Sequence, residues 1–160
     1  MNLALFTFSF NLIHHSATAD DGKRNADAIA RFHTTQDDPK TKVVEGRGWS
    51  EIGYHFLAER VGNGYEIVAG RPLTRPGSHE KKANRTHIGI CVVGNFSSEP
   101  PPEEQLSVVA DLCVQLIGDW PAMRDEQCIV GHKAFKPTAC PGEMFPLADL
   151  RQMVAERLSE

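Results

Sequence analysis

The 160-residue chain is predicted to fold as one α/β domain, a mixed central β-sheet flanked by helices. Three observations lead there. The length suits a single core, because folding at this size removes roughly 68–70% of the unfolded chain's surface from water. Apolar runs of strand length are interspersed with stripes at helical spacing, which favours a sheet with helices packed on it. An Asn-Gly dipeptide between two such runs marks at least one hairpin, so the sheet is mixed rather than wholly parallel. With 41% apolar and 24% charged residues, the composition is that of a globular protein, not a disordered or fibrous one. No internal repeat is visible.

The elements follow in order. The apolar run Met1 to Ile13 precedes Ala17-Thr18-Ala19, a sequence that imitates a signal-peptidase site. No lysine or arginine precedes the run, and Phe6, Phe8, Phe10 and Leu12 alternate with Thr7, Ser9 and Asn11. That two-residue period predicts a half-buried strand. Asp20-Asp21-Gly22 then predicts a turn, and Ala26, Ile29, Ala30 and Phe32 a short helix. Thr34 to Gly48 is polar and carries Pro39, Gly46 and Gly48. It is predicted as a long loop, either a binding loop or an insertion without a role. Ile52 to Leu57 and Tyr65 to Ala69 are predicted strands joined through Gly62-Asn63-Gly64. Arg71 to Arg85 is basic and irregular, and His87 to Val93 is a mostly apolar run suited to a strand covered on both faces. Pro100-Pro101-Pro102 and Glu103-Glu104 start a helix carrying Leu106, Val109, Ala110, Cys113, Leu116 and Ile117, which ends near Gly118. Gln127 to Val130 is a short strand, and Leu147 to Leu158 a final amphipathic helix with Leu150, Met153, Val154 and Leu158.

Charge and cysteine usage narrow the function. Seventeen basic against 21 acidic residues give a net charge of −4, which implies no generic binder of nucleic acid or anionic membranes. No apolar stretch approaches the roughly 20 residues of a membrane span, so no membrane insertion is expected. The four cysteines, Cys91, Cys113, Cys128 and Cys140, lack the dense spacing of a disulfide scaffold and are expected to be reduced. Cys91, Cys113 and Cys128 fall at apolar positions and are expected to act as small hydrophobes. His33, His55 and His87 are expected to be core or boundary residues.

Chemistry concentrates in two places: His14-His15 at the end of the first strand, and His132 with Cys140 after the last one. The intervening loop, Lys133 to Ala139, is long enough to fold back and bring His132 and Cys140 to one point. Two imidazoles and one thiolate form a three-donor set that leaves a tetrahedral position open, the arrangement of catalytic rather than structural zinc. Strand alternation puts His14 and His15 on opposite faces without saying which face carries the site. With seven histidines in the chain, spacing alone is a weak argument.

The motifs taken together are more specific. They are Leu12-Ile13-His14-His15-Ser16-Ala17-Thr18, Gly48-Trp49-Ser50-Glu51-Ile52-Gly53-Tyr54-His55-Phe56, Ala69-Gly70-Arg71-Pro72, Gly77-Ser78-His79, Ile88 to Phe96, and Gly131-His132 through Cys140-Pro141-Gly142. In this order they resemble the zinc-dependent N-acetylmuramoyl-L-alanine amidases, the type 2 amidases that include phage lysozyme-type enzymes and peptidoglycan recognition proteins. The resemblance covers nearly the whole chain. It implies one catalytic domain over residues 1–160, one Zn2+ per chain held by His14, His132 and Cys140, and Tyr54 beside the zinc-activated water. Where phage lysozyme-type members carry a lysine two residues before the cysteine, this chain has Thr138, as catalytic peptidoglycan recognition proteins do. Tyr54 and Thr138 are the expected catalytic side chains, and Lys136 is expected to be a solvated loop residue. Arg71, His79 and Asn84 are the expected substrate contacts.

The activity so implied is hydrolysis of the amide between N-acetylmuramic acid and the first L-alanine of peptidoglycan by a monomer that contacts both glycan strand and stem peptide. Two alternatives stand beside it. A recognition module that binds peptidoglycan without cutting it typically lacks the cysteine ligand, and a cytosolic enzyme that recycles muropeptides carries aspartate there. The missing export signal and the family together predict cytoplasmic synthesis followed by action on the cell wall after release, through a membrane pore if the protein is phage-derived.

Overall fold

A computed structural model describes residues 7–37 and 46–160. The elements are β1 (Phe10–His15), α1 (Ala26–Thr34), β2 (Phe56–Val61), β3 (Gly64–Ala69), β4 (His87–Val92), α2 (Glu103–Asp119), β5 (Ile129–Gly131) and α3 (Leu147–Leu158). Short 3-10 turns precede and follow β5. The five strands form one mixed sheet in the order β3-β2-β4-β1-β5. β2 and β3 are an antiparallel hairpin, whereas β4 pairs parallel with both β2 and β1, and β5 runs parallel to β1. The predicted α/β class and mixed sheet are what the chain adopts.

Register assigns the faces. His14 lies beside Cys91, and Leu57 beside the same cysteine, so these three share one face. His15, Val92 and Ala58 share the other. The second face carries the main core: α2 and α3 pack there through Leu106, Val109, Cys113, Leu150 and Val154 against Ile88, Ile90 and Val92. Gln105 on α2 is fully buried, and its amide donates to the carbonyls of Ala58 and Val93, which ties the helix to β2 and to the residue just after β4. The first face bears a smaller cluster of Ala26, Ile52, Leu57 and Cys91 beneath α1. The start of α1 is fixed by the Asn25 side chain, which accepts from the Ala28 amide, and by the Glu59 carboxylate of β2, which accepts from Ala26.

Several boundaries differ from the sequence-based expectation, each for a physical reason. Residues 1–6, including Phe6, and residues 38–45 of the predicted loop lie outside the described residues. Within the first strand the alternation is not kept: Asn11 is fully buried and Phe10 is 38% exposed. β1 is an interior strand with both faces covered, so polar and apolar residues do not sort by face. The strand expected from Ile52 begins only at Phe56 and runs on to Val61. The hairpin turn is Gly62-Asn63, and the positive φ falls on Gly62 (59°) rather than on the Asn63-Gly64 pair, because Gly64 already pairs with Val61. Gln127 and Cys128 belong to a 3-10 turn, so β5 is only Ile129–Gly131. Phe32 projects from α1 with 43% exposure instead of entering the core. Among the described residues no helix is long and apolar enough to cross a membrane.

Three buried imidazoles stay uncharged in this fold. Burial holds His33, His55 and His87 each down to about 4, with Arg47 and Arg71 adding to the effect at His33 and carbonyls of Arg75 and Ala83 opposing it at His55 and His87. In the unfolded chain the same groups titrate near 6.5. Their contribution to stability is therefore complete above about pH 6.5 and is lost as pH falls towards 4, since the unfolded state then binds more protons. Urea midpoints of the metal-free protein are expected to fall between about pH 7 and pH 5; a level midpoint across that range would contradict this account.

Candidate metal centre

β1 ends at the carboxyl edge of the sheet between β4 and β5, the kind of crevice in which open α/β sheets hold ligands. Its last two residues diverge. His15 turns to the main-core face, where its Nδ1 accepts the Phe96 amide at 3.2 Å. His14, 2% exposed, turns to the other face. There its Nδ1 lies 3.7 Å from Cys140 Sγ. His14, His132 and Cys140 each offer one donor atom, and the three lie within 4.8 Å of one another.

The donor set fits a zinc-sized ion. A tetrahedron with bonds of about 2.1 Å to nitrogen and about 2.3 Å to sulfur has an N–S edge of about 3.6 Å, close to the 3.7 Å found between His14 and Cys140. His132 supplies a second observation. Its Nε2 is engaged by Glu80 Oε2 at 2.9 Å, while its Nδ1 is buried and has no hydrogen-bond partner. A carboxylate accepts the Nε2 proton, so Nδ1 carries a lone pair in want of an electrophile. Burial, reinforced by His79 and His132, keeps the His14 pKa well below its ordinary value, so this ring too is neutral and able to ligate. The Cys140 sulfur accepts the His15 amide at 3.4 Å.

Residues around these donors line a cavity of about 450 Å³. Tyr54 forms one wall. It sits just before β2, not within it, with its ring 5.2 Å from that of His14. Burial, with Cys91 and Cys140 adding to it, raises the phenol well above its usual 10, so the group remains an O–H donor. Thr138 also lines the cavity, and its Oγ accepts the Cys140 amide at 3.2 Å, leaving its own O–H free to donate. Arg47, Trp49 and His33 complete this side. Trp49 is placed by its backbone N–H, which donates to the His33 carbonyl near the end of α1, and His33 by the Gly53 amide, which donates to its Nδ1 at 3.1 Å. Thus His33, expected as a core or boundary residue, is buried and also lines the cavity.

The three expected substrate contacts also make bonds within the protein. His79 Nδ1 is 3.1 Å from His14 Nε2, so it backs a donor as well as lining the cavity. Its ring is wedged where Gly77 and Gly89 leave room; a Cβ on either would collide with it. Asn84 Oδ1 accepts the amides of His79 and Glu80 and so braces that turn. Arg71 bonds the carbonyls of Ile52 and Pro76, each at 2.8 Å, with a side chain only 9% exposed. These contacts make it a brace between loops. Lys136 is not simply solvated either: its Nζ lies 3.2 Å from Glu80 Oε2. Glu80 itself had no periodic or motif feature to single it out in the sequence. All four cysteines are free, and Cys91, Cys113 and Cys128 are buried as expected.

The chain is similar to known proteins in both sequence and fold. Residues 7–143 match the N-acetylmuramoyl-L-alanine amidase family. The chain is 31% identical over 134 residues to the endolysin of Enterobacteria phage K11, covering 81% of this chain and 77% of that protein. Among solved structures it resembles N-acetylmuramoyl-L-alanine amidase LysC from Clostridium intestinale URNW (TM-score 0.67, 26% identity, 92% of this chain and 85% of that one). It also resembles bumblebee PGRP-SA (TM-score 0.70, 26% identity, 87% and 78%).

The placement of the sulfurs generates a prediction. Cys140→Ser is expected to reduce bound zinc sharply after dialysis against the ion, while Cys113→Ser, buried in α2, leaves metal content near wild type. Equal metal content in the two variants, measured by atomic absorption, would undo the sorting.

Proposed function

The chain belongs to the N-acetylmuramoyl-L-alanine amidase family, and from that premise we propose that residues 1–160 form a single catalytic domain that hydrolyses the amide joining N-acetylmuramic acid to the first L-alanine of peptidoglycan. The observation carrying this reading is the convergence of His14, His132 and Cys140 from distant parts of the chain on one cavity, with Tyr54 in its wall. We assign these three as the ligands of one zinc ion. When bound, the ion supplies Lewis acidity toward the scissile carbonyl and acidifies water enough to furnish a nucleophile near neutral pH.

The remaining work falls to side chains. Tyr54 and Thr138 donate hydrogen bonds from their hydroxyls to the carbonyl oxygen as negative charge develops there, keeping their protons, the preorganised stabilisation that favours a tetrahedral geometry. Thr138 brings no positive charge, so Tyr54 carries more of that task. Asn84 braces the turn behind the donors and Arg71 links loops, while Arg47, Trp49, His33 and His79 form the polar and aromatic surface presented to substrate. A recognition module that only binds peptidoglycan is disfavoured by the complete donor set and Tyr54. The endolysin relative supports a lytic enzyme that reaches the wall after release from the cell that makes it, and we further propose that it acts as a monomer on glycan strand and stem peptide together.

Purified cell walls incubated with the protein are expected to release L-alanine amino termini, and a chelator should abolish the release. New reducing sugar ends in place of amino termini would reject the amidase reading. Tyr54→Phe is expected to lower kcat by about 10²–10³-fold with metal content unchanged; full kcat in this variant would remove Tyr54 from the mechanism.

A further inference from the structure

We propose that Glu80 is a positioning residue of the metal centre, a carboxylate clamp that orients His132 and holds the loop between His132 and Cys140. This rests on the zinc reading above. The carboxylate is almost wholly enclosed, with 6% side-chain exposure, and a buried charge persists only when paired and hydrogen-bonded. Each of its oxygens is engaged. Oε2 takes His132 Nε2 at 2.9 Å and Lys136 Nζ at 3.2 Å. Oε1 accepts the Lys82 amide at 3.3 Å. The backbone is held just as firmly, since the Glu80 amide donates to Asn84 Oδ1 and the Glu80 carbonyl accepts from Ala83 and Asn84.

Two consequences follow from one oxygen holding both partners. Accepting the Nε2 proton of His132 fixes the tautomer in which Nδ1 faces His14 and Cys140, and a negative charge behind the ring makes Nδ1 a stronger donor. Holding Lys136 pins the loop midway between His132 and Cys140, so the same carboxylate limits how far the sulfur can stray from the histidines. The other histidine has a different backing: His14 leans on neutral His79, not on a carboxylate. Glu80 is therefore the one charged group, among the described residues, hydrogen-bonded directly to a proposed ligand.

The test measures zinc affinity of the metal-free protein by competition with a chromophoric chelator. Glu80→Ala is expected to weaken zinc binding by about 10–100-fold. Glu80→Gln keeps an acceptor for His132 but loses the charge, and is expected to lose several-fold. Lys136→Met is expected to weaken binding less than Glu80→Ala, and to add nothing when combined with it, because both act through one oxygen. A cobalt-substituted Glu80→Ala protein should keep its sulfur-to-metal charge-transfer band while its ligand-field bands shift, since the altered donor is His132. Wild-type affinity in Glu80→Ala, or in Glu80→Gln if the alanine variant does not fold, overturns the assignment. Failure of the wild-type protein to take up zinc would instead sink the metal reading, and this assignment with it.

Discussion

The structure depends on one buried imidazole whose two nitrogens must both be satisfied away from water. His14 ends an interior strand at 2% exposure, and neither neighbour in the sheet offers its ring a backbone partner. On one side it meets His79, which requires the ring space left by Gly77 and Gly89 and the turn that Asn84 braces. On the other it meets Cys140 and His132, which requires the loop after β5 to fold back across the sheet edge. Much of the irregular chain from 71 to 85 and from 132 to 142 is shaped by these two needs. Gly142, with φ of 106° and no space for a Cβ against Phe96, completes the return of the second loop.

Electrostatically, the centre is built from neutral rings with charge kept one step away. Burial keeps His14, His79 and His33 uncharged, so the His14 donor holds no competing proton, whereas burial pushes the Cys140 thiol up to about 11 and its proton must leave when a metal binds. Glu80, held down to about 2 chiefly by its hydrogen bond to His132, is ionised across the working range. Lys136 partly balances it and leaves the cavity rim basic alongside Arg47. Neutral rings inside and cationic side chains at the rim thus share one cavity.

How much of this was legible in the sequence varied with the physics. β4, α2 and α3 were clear because a continuous apolar run and a helical stripe each reflect burial by neighbours of one kind. β1 misled in detail because a strand with parallel partners on both sides buries Asn11 as fully as Leu12. The stretch from Ile52 to His55 looked like strand but lies before β2: Ser78 donates to Gly53, and Gly89 bonds both the amide and Nδ1 of His55. His14, His132, Cys140 and Tyr54, which line one cavity, were singled out through motif resemblance. The roles of His79 and Glu80 were not, since they join side chains 65 and 52 residues apart that share no period or spacing. Contacts behind a metal donor leave almost no mark in a single sequence.

The most direct test of the central claim is X-ray absorption at the zinc edge of the metal-loaded protein. The account predicts one sulfur neighbour at about 2.3 Å and two imidazole nitrogens at about 2.0–2.1 Å. A first coordination sphere without sulfur, or with only one imidazole, would contradict it.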